Sequence, residues 1–246
     1  MFMKKYALSF KVSLLAVVLF FVNGFFDLAS SGLNTVYITI TTFLFSVFNG
    51  FFMARQSTRY SEIRTQVSKF DASMTVLFRE SSHLDQDEHK RVKELLTEYY
   101  TNVVKHNDWT YYYFTHKTHL VSDLHTIVAD AAARRLDGLR GESIKNMLHT
   151  LDDVQGVRKQ LISLKEETIP HFQQYFIYML GFVLLAAIAT LPSVGNVIAS
   201  LLKSVFMITI LCVMILLRKF NDLSLFEKKI GEHSAQDVLD IMSGNK

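Results

Sequence analysis

Histidine and carboxylate side chains at helical spacing are the first candidates for chemistry in this sequence. His116, His119 and Asp123 follow one another at steps of three and four residues, so on a helix they would share one face. Two imidazoles and a carboxylate are suitable ligands for a zinc-like metal ion. A solvated polar face has the same pattern, and we favour it over a metal site. We therefore predict neither a metal nor another cofactor.

Acidic residues form a second cluster at Asp85, Asp87 and Glu88, next to His89. The cluster lacks the mid-loop glycine and the terminal glutamate of an EF-hand, which disfavours a calcium loop. Carboxylates in the first turn complement the helix dipole, and Ser82 and Asp85 are both of a type that caps helices. We predict that a helix begins here.

No catalytic motif accompanies these residues. The sequence has neither a nucleophile motif nor a phosphate-binding loop, and Cys212 is its single cysteine. Asp108-Trp109 and the aromatic run 111–114 are interpreted as a packing surface against the membrane or a neighbouring subunit. We predict that the protein is not an enzyme. A membrane-embedded enzyme that uses the histidines is the alternative.

Apolar and charged residues are segregated along the chain. Of its 246 residues, 50% are hydrophobic and 20% are charged, yet the mean hydropathy is +0.20. The 10 glycines and 2 prolines supply few turns, which favours helices over strands. Four apolar windows approach the ~20 residues that cross a bilayer. They cover roughly residues 8–26, 33–54, 172–191 and 197–217.

The positions of Lys and Arg predict the orientation of these windows. The segments 27–32 and 192–196 contain neither residue, whereas the N-terminus, the stretch 55–168 and the tail are rich in both. Because cytoplasmic segments carry the excess of Lys and Arg, we predict that both termini are cytoplasmic. A signal peptide cleaved near Ala29 is the alternative. We disfavour it because the first window is long and a second follows closely.

The stretch 55–168 has seventeen basic and seventeen acidic residues and no proline. A nucleic-acid-binding protein normally has a basic excess, so we exclude nucleic acid as a partner. Apolar residues recur at steps of three and four, which predicts helices with breaks near 81–85, 115–118 and 138–141. The stripes are Ile63, Val67, Phe70, Met74 and Leu77; Val92, Leu95, Leu96, Tyr99, Val103 and Val104; Leu120, Leu124, Ile127, Val128 and Ala131; Leu148, Leu151, Val154, Val157, Leu161 and Leu164.

The predicted fold class is an all-α membrane protein. Four transmembrane helices form two hairpins, and a helical cytoplasmic bundle is inserted between them. Pro170 stands where the first turn of the third span tolerates proline, and Pro192 where that helix should stop. The predicted domains are the first hairpin at 1–54, the bundle at 55–168, the second hairpin at 169–217 and a cytoplasmic tail at 218–246.

The second window carries two stripes. Thr35, Thr39, Thr42, Ser46 and Asn49 form a polar stripe at steps of four and three. In a bilayer such residues either hydrogen-bond to a neighbouring helix or line water, and the sequence leaves both open. The second stripe consists of large apolar residues, which are Phe43, Val47 and Phe51.

Rings of the apolar stripe from several subunits would make a constriction that gates by dewetting. One chain with four spans has too few helices to enclose a wide pore, so this interpretation requires a homo-oligomer. Lys203 lies inside the fourth window. Its ammonium group either snorkels to the outer surface or lines an outer vestibule, where it would attract anions.

Residues 45–52, followed by Arg59-Tyr60 nine and ten residues after Gly50, resemble the pore helix of the bestrophin ion channels. That helix has a Ser-Phe-Val-Leu-Gly-Phe-Tyr segment and then Arg-Trp. The order of two spans, a long helical segment and two more spans is similar as well. The sequence resembles the bacterial bestrophin-like membrane proteins more closely. The shared features are an Arg-Tyr-x-Glu turn at 59–62, a Leu-x-x-Tyr…Trp pattern between Leu96 and Trp109, Pro170, and the element 222–226.

The resemblance implies a homopentamer in the lipid bilayer of a bacterial inner (plasma) membrane. The second spans would form the neck of a central pore for passively permeant ions, with Phe43, Val47 and Phe51 at the constriction. We expect anions to be somewhat favoured over cations. The alternative is a non-conducting scaffold or signalling protein whose cytoplasmic bundle binds a partner.

The sequence departs from the bestrophin pattern at three places. Asn49 precedes the neck glycine where an apolar residue is usual, and Val47 stands where an aromatic ring is typical. Residues 221–229 lack the acidic run of a calcium clasp, so we predict no calcium gating through that site.

Overall fold

Every regular element in the part of the chain that the computed structural model describes is an α-helix. The described residues are 35–106, 119–134, 138–191, 197–223 and 232–244. The described residues are therefore all-α, as predicted, and the first apolar window lies outside them. The helices are α1 (Thr35–Ser81), α2 (Gln86–His106), α3 (Leu120–Arg134), α4 (Gly138–Glu166), α5 (His171–Ala189), α6 (Val197–Asn221) and α7 (Glu232–Ser243).

Within the described residues, three helical stretches are long and apolar enough to cross a membrane. They are Val36–Ser81, Gly138–Ala189 and Val197–Asn221. The second and third apolar windows overlap the first two of these stretches, and the fourth window, residues 197–217, falls within the last. Helix α5 begins directly after Pro170, which lacks the N–H that the first turn of a helix leaves unpaired anyway.

The described residues divide into two compact units. Those within Met1–Gln56 and Ile169–Asp222 form the first unit, and those within Ser57–Thr168 and Leu223–Lys246 form the second. In the first unit α5 packs against α6. The Oδ1 atom of Asn221 accepts a hydrogen bond of 2.8 Å from the backbone N–H of Ile169. This bond links the end of α6 to the segment that leads into α5.

The second unit has its own hydrophobic core, built from the four predicted stripes. Helix α2 packs against α3 and α7, and α3 packs against α4. Because the stripes recur at the period of a helix, each presents one continuous apolar face to its neighbours. The helices predicted from these stripes are confirmed. Their fully buried members include Ile63, Leu77, Leu96, Leu124 and Leu151.

Two features of the second unit differ from the sequence analysis. Gly141 was expected in a helix break, but α4 begins at Gly138 and Gly141 lies in its first turn. Gly138 has a φ of 53°, a left-handed conformation that glycine adopts without a steric penalty. Helix α7 was not predicted, although Ala235, Val238 and Met242 are buried at steps of three and four residues.

A capping interaction and an ion-pair network fix the start of α2. Helix α1 ends at Ser81 and α2 begins at Gln86, which confirms the predicted break. Glu88 reaches back to accept a hydrogen bond of 3.2 Å from the backbone N–H of Asp85, as in a capping box. The predicted helix start at the acidic cluster is thereby confirmed.

Glu88 is buried, and two arginines surround its carboxylate. Arg140 donates to both carboxylate oxygens at 3.2 and 3.1 Å, and its other terminal nitrogen lies 2.7 Å from Asp85. Arg134 approaches Glu88 at 3.6 Å. The hydrogen bond from Arg140 holds the pKa of Asp85 below its usual value. The network therefore joins α2 to α4.

We expect Arg140→Ala to destabilise the second unit by about 3 kcal/mol, because it leaves the buried Glu88 carboxylate with a weaker partner. Thermal melting of the purified protein in detergent, followed by circular dichroism at 222 nm, measures the effect. Lys90→Ala is the control, since Lys90 forms an exposed pair with Glu94 that contributes little. Equal melting temperatures for the two variants would contradict this account.

Candidate functional site

The apolar stripe of α1 is exposed in the first unit. Phe43 is 65% exposed, Val47 36% and Phe51 71%. The three residues are separated by four positions each, so they form one ladder along the helix. Large side chains exposed at this level indicate a surface that lipid or another protein chain covers. The assignment of this ladder to a pore neck stays a prediction.

Three other aromatic residues of the same helix face inward. Phe45 is buried, and Phe48 and Phe52 pack beside it in a cluster with residues of α5 and α6. The rings of Phe48 and Phe176 meet edge to face, with centroids 5.0 Å apart. The phenylalanines in this part of α1 therefore belong to two different faces. One face packs within the unit, and the other is exposed.

Gly181 on α5 allows α1, α5 and α6 to approach one another closely. A Cβ atom at this position would lie 2.7 Å from the sulfur of Met214 and 3.3 Å from the ring of Phe45. Both distances are shorter than ordinary van der Waals contact. This packing holds Phe45 in place and thereby fixes which face of α1 carries the exposed ladder. At Gly50, in contrast, no described residue lies within 4 Å of such an atom.

Part of the polar stripe lines a cavity of about 870 Å³ in the first unit. Thr42, Ser46 and Asn49 contribute to one wall, and α5 and α6 contribute the others. Thr42 donates to the backbone oxygen of Ile38 at 2.7 Å, which satisfies its hydroxyl locally. The Oδ1 atom of Asn49 is buried and has no hydrogen-bond partner among the residues that the structure describes.

The polar stripe and the apolar ladder therefore lie on different sides of α1. Thr39 is exposed, and the side chain of Thr35 lies outside the described residues. The choice between a water-lined stripe and a helix-packing stripe stays open.

Arg59 holds the C-terminal end of α4. Its Nε atom donates to the backbone oxygen of Leu164 at 2.6 Å, and its Nη2 atom donates to that of Lys165 at 2.7 Å. These carbonyls belong to the last turn of α4, where intrahelical donors run out and the helix dipole favours a cation. Arg59 itself is buried. Its neighbour Tyr60 packs against the core of the second unit.

Lys203 binds the end of a helix in the first unit, as Arg59 does in the second. Its side chain is 5% exposed. The ammonium group donates to the backbone oxygens of Ala189 at 2.7 Å and Leu191 at 2.9 Å, at the end of α5. Lys203 also contributes to the wall of the 870 Å³ cavity. A role in an outer vestibule stays a prediction.

Leu96 and Tyr99 of the Leu-x-x-Tyr…Trp pattern lie in the core of the second unit, and so does the next residue, Tyr100. The hydroxyl of Tyr100 donates to Asp71 of α1 at 2.7 Å. The adjacent Tyr99 has a raised pKa, mainly because it is buried and also because Asp71 is negatively charged. These residues link α1 to α2. Trp109 lies outside the described residues.

Of the three candidates for a metal site, His119 and Asp123 lie among the described residues and His116 lies outside them. His119 precedes α3, and its backbone oxygen accepts a hydrogen bond of 2.7 Å from the N–H of Asp123. No group of three or more His, Cys, Asp or Glu residues suited to a metal lies among the described residues. His116, the aromatic run 111–114 and residues 224–226 fall outside them.

Comparison with known proteins gives a family match and a fold match. A family model described as the Bestrophin-like domain matches residues 6–224. A crystal structure of a membrane protein with a leucine-to-alanine substitution is similar at a TM-score of 0.67 and 14% identity, covering 96% of this chain and 98% of the other. No curated protein matches the chain.

Two further crystal structures are similar over nearly the whole chain. A membrane protein with a glycine-to-alanine substitution has a TM-score of 0.64 and 14% identity, and covers 96% of this chain and 97% of its own. A bacterial bestrophin homologue from Klebsiella pneumoniae with a leucine-to-threonine substitution has a TM-score of 0.57 and 12% identity, with the same coverages. At these identities the likeness is one of fold.

We expect Arg59→Ala to lower the stability of the second unit by about 2 kcal/mol, because two carbonyls at the end of α4 lose a charged donor. Arg59→Lys should recover part of this loss, since lysine keeps the charge but not the two-nitrogen geometry. Melting temperatures in detergent measure both effects. Arg64→Ala, at an exposed position of the same helix, is the control. A loss in the control as large as that in Arg59→Ala would refute the capping role.

Proposed function

The chain belongs to the bestrophin-like family, and from this premise we propose that it is one subunit of a homo-oligomeric ion channel that conducts ions passively. The assembly is a pentamer in a bacterial inner membrane, and both termini of each chain are cytoplasmic. Each subunit contributes two membrane hairpins, at 1–54 and 169–217. Its helical bundle at 55–168 and its tail at 218–246 lie in the cytoplasm.

The exposed ladder of Phe43, Val47 and Phe51 is the observation that carries this proposal. The opposite face of α1 is already occupied by packing around Phe45, so the ladder points away from its own unit. In a ring of subunits the ladders face one another and form an apolar neck. Water leaves a narrow apolar passage readily, so such a neck controls conduction without any chemical step. The protein in this proposal is not an enzyme.

The number of subunits in the assembly is the first test of the proposed channel. A protein with a central pore should have the mass of five 28.3 kDa chains in detergent, measured by light scattering on a size-exclusion column. A closed ring gives one discrete mass because cyclic symmetry fixes the number of copies. A monomer or dimer cannot enclose the proposed pore. Either would favour the non-conducting scaffold, in which the cytoplasmic bundle binds a partner protein.

The neck itself is tested by current recordings from purified protein in planar bilayers. We expect Phe43→Ala and Phe51→Ala each to raise the unitary conductance severalfold, because the smaller side chain widens the passage and weakens dewetting. Phe182→Ala is the matched control. Phe182 lies on α5 and is 71% exposed, as is Phe51. Unchanged conductance in both neck variants would mean that these residues are not the constriction.

A further inference from the structure

Gly181 lies where α5 meets both α1 and α6 in the first unit. A Cβ atom at this position would lie 2.7 Å from the sulfur of Met214 on α6 and 3.3 Å from the ring of Phe45 on α1. The thioether of Met214 ends a flexible side chain, so it can turn aside at little cost. The ring of Phe45 is 6% exposed and is packed among residues of α5 and α6, so it has much less freedom. The missing side chain of Gly181 therefore lets α1 come this close to α5.

We propose that Gly181 is a positioning residue that sets the width of the apolar neck by acting through Phe45. Phe45 is two residues away from both Phe43 and Val47, and two residues of an α-helix correspond to a rotation of about 200°. The ring that meets Gly181 and the exposed ladder therefore point in nearly opposite directions from the axis of α1. A side chain that presses on Phe45 moves the ladder towards the centre of the ring of subunits. The inference rests on the proposed function, and it names what determines the width of the same passage.

Helices α5 and α6 are tied together at both ends, so α1 is the helix that yields. At one end the ammonium group of Lys203 on α6 donates to the backbone oxygens of Ala189 at 2.7 Å and Leu191 at 2.9 Å. At the other end the Oδ1 atom of Asn221 accepts a hydrogen bond of 2.8 Å from the backbone N–H of Ile169. The two helices also pack against each other between these ends. A methyl group added between α5 and α1 therefore displaces α1 more readily than it separates α5 from α6.

A small displacement of α1 is sufficient for an effect on conduction. At 3.3 Å from a new Cβ atom, the ring of Phe45 has to give by a few tenths of an ångström. In a symmetric ring every copy of α1 moves by the same amount, so the passage narrows from all sides at once. Water leaves an apolar constriction more readily as it narrows, so conduction falls.

Unitary conductance of the purified full-length protein in planar bilayers tests this inference. We expect Gly181→Ala to lower the conductance on the order of twofold and Gly181→Val to lower it further, because each presses α1 towards the centre of the passage. Phe45→Leu should raise the conductance, because α1 moves partly into the space that the smaller side chain leaves.

The double variant with Gly181→Ala and Phe45→Leu separates a positioning role from a general structural one. The shorter leucine makes room for the added methyl group, so the conductance should return towards that of the wild type. Gly156→Ala is the matched control. Gly156 is exposed on α4, and no described residue lies within 4 Å of a Cβ atom built there. The control should conduct as the wild type does.

Three results would overturn the role of Gly181 and leave the neck to the recordings from Phe43→Ala and Phe51→Ala. The first is an unchanged conductance in both Gly181 variants, and the second is a loss that Phe45→Leu does not restore. If the Gly181 variants do not assemble, Phe45→Leu alone decides, and an unchanged conductance in it is the third. A wild type without current would overturn the proposed channel and this inference with it.

Discussion

The unbroken register of α1 is the constraint on which the candidate site depends. Within the first unit the helix is unbroken from Thr35 to Gln56, so the direction of each side chain there is fixed relative to the others. Phe45 is held against Gly181 and Met214, and this contact determines which way Phe43 and Phe51 point. One inserted residue between these positions would rotate everything that follows by about 100°. The ladder residues and the packed residues would then no longer lie on different faces of the helix.

Among the described residues, two cationic side chains bind the carbonyl groups at the ends of helices. Arg59 binds the last carbonyls of α4, and Lys203 binds carbonyls at the end of α5. In each case burial would be costly for an isolated charge, but the unpaired carbonyls and the negative end of the helix dipole compensate for it. A positive charge in an apolar sequence is thus explained here by the geometry of a helix end.

The helices of the second unit could be predicted because their apolar stripes have the period of an α-helix. The short stripe of α7, with Ala235 and Val238, has the same period but extends over only twelve residues. The site was less predictable. Composition shows that phenylalanines crowd one part of α1, but not that Phe48 packs inward while Phe51 is exposed. The partners of Arg59 lie more than a hundred residues away, and no local pattern encodes such a contact.

Because Arg59 and its acceptors are far apart in the sequence, they are synthesised at different times. Leu164 follows Arg59 by 105 residues. At a synthesis rate of 5–20 residues per second, Arg59 is made roughly 5–20 s before the carbonyl that it binds. All of α2 and α3 and nearly all of α4 are synthesised in that interval. The nascent chain therefore carries an arginine without its final acceptors until α4 is almost complete, and the contact closes a loop of more than a hundred residues.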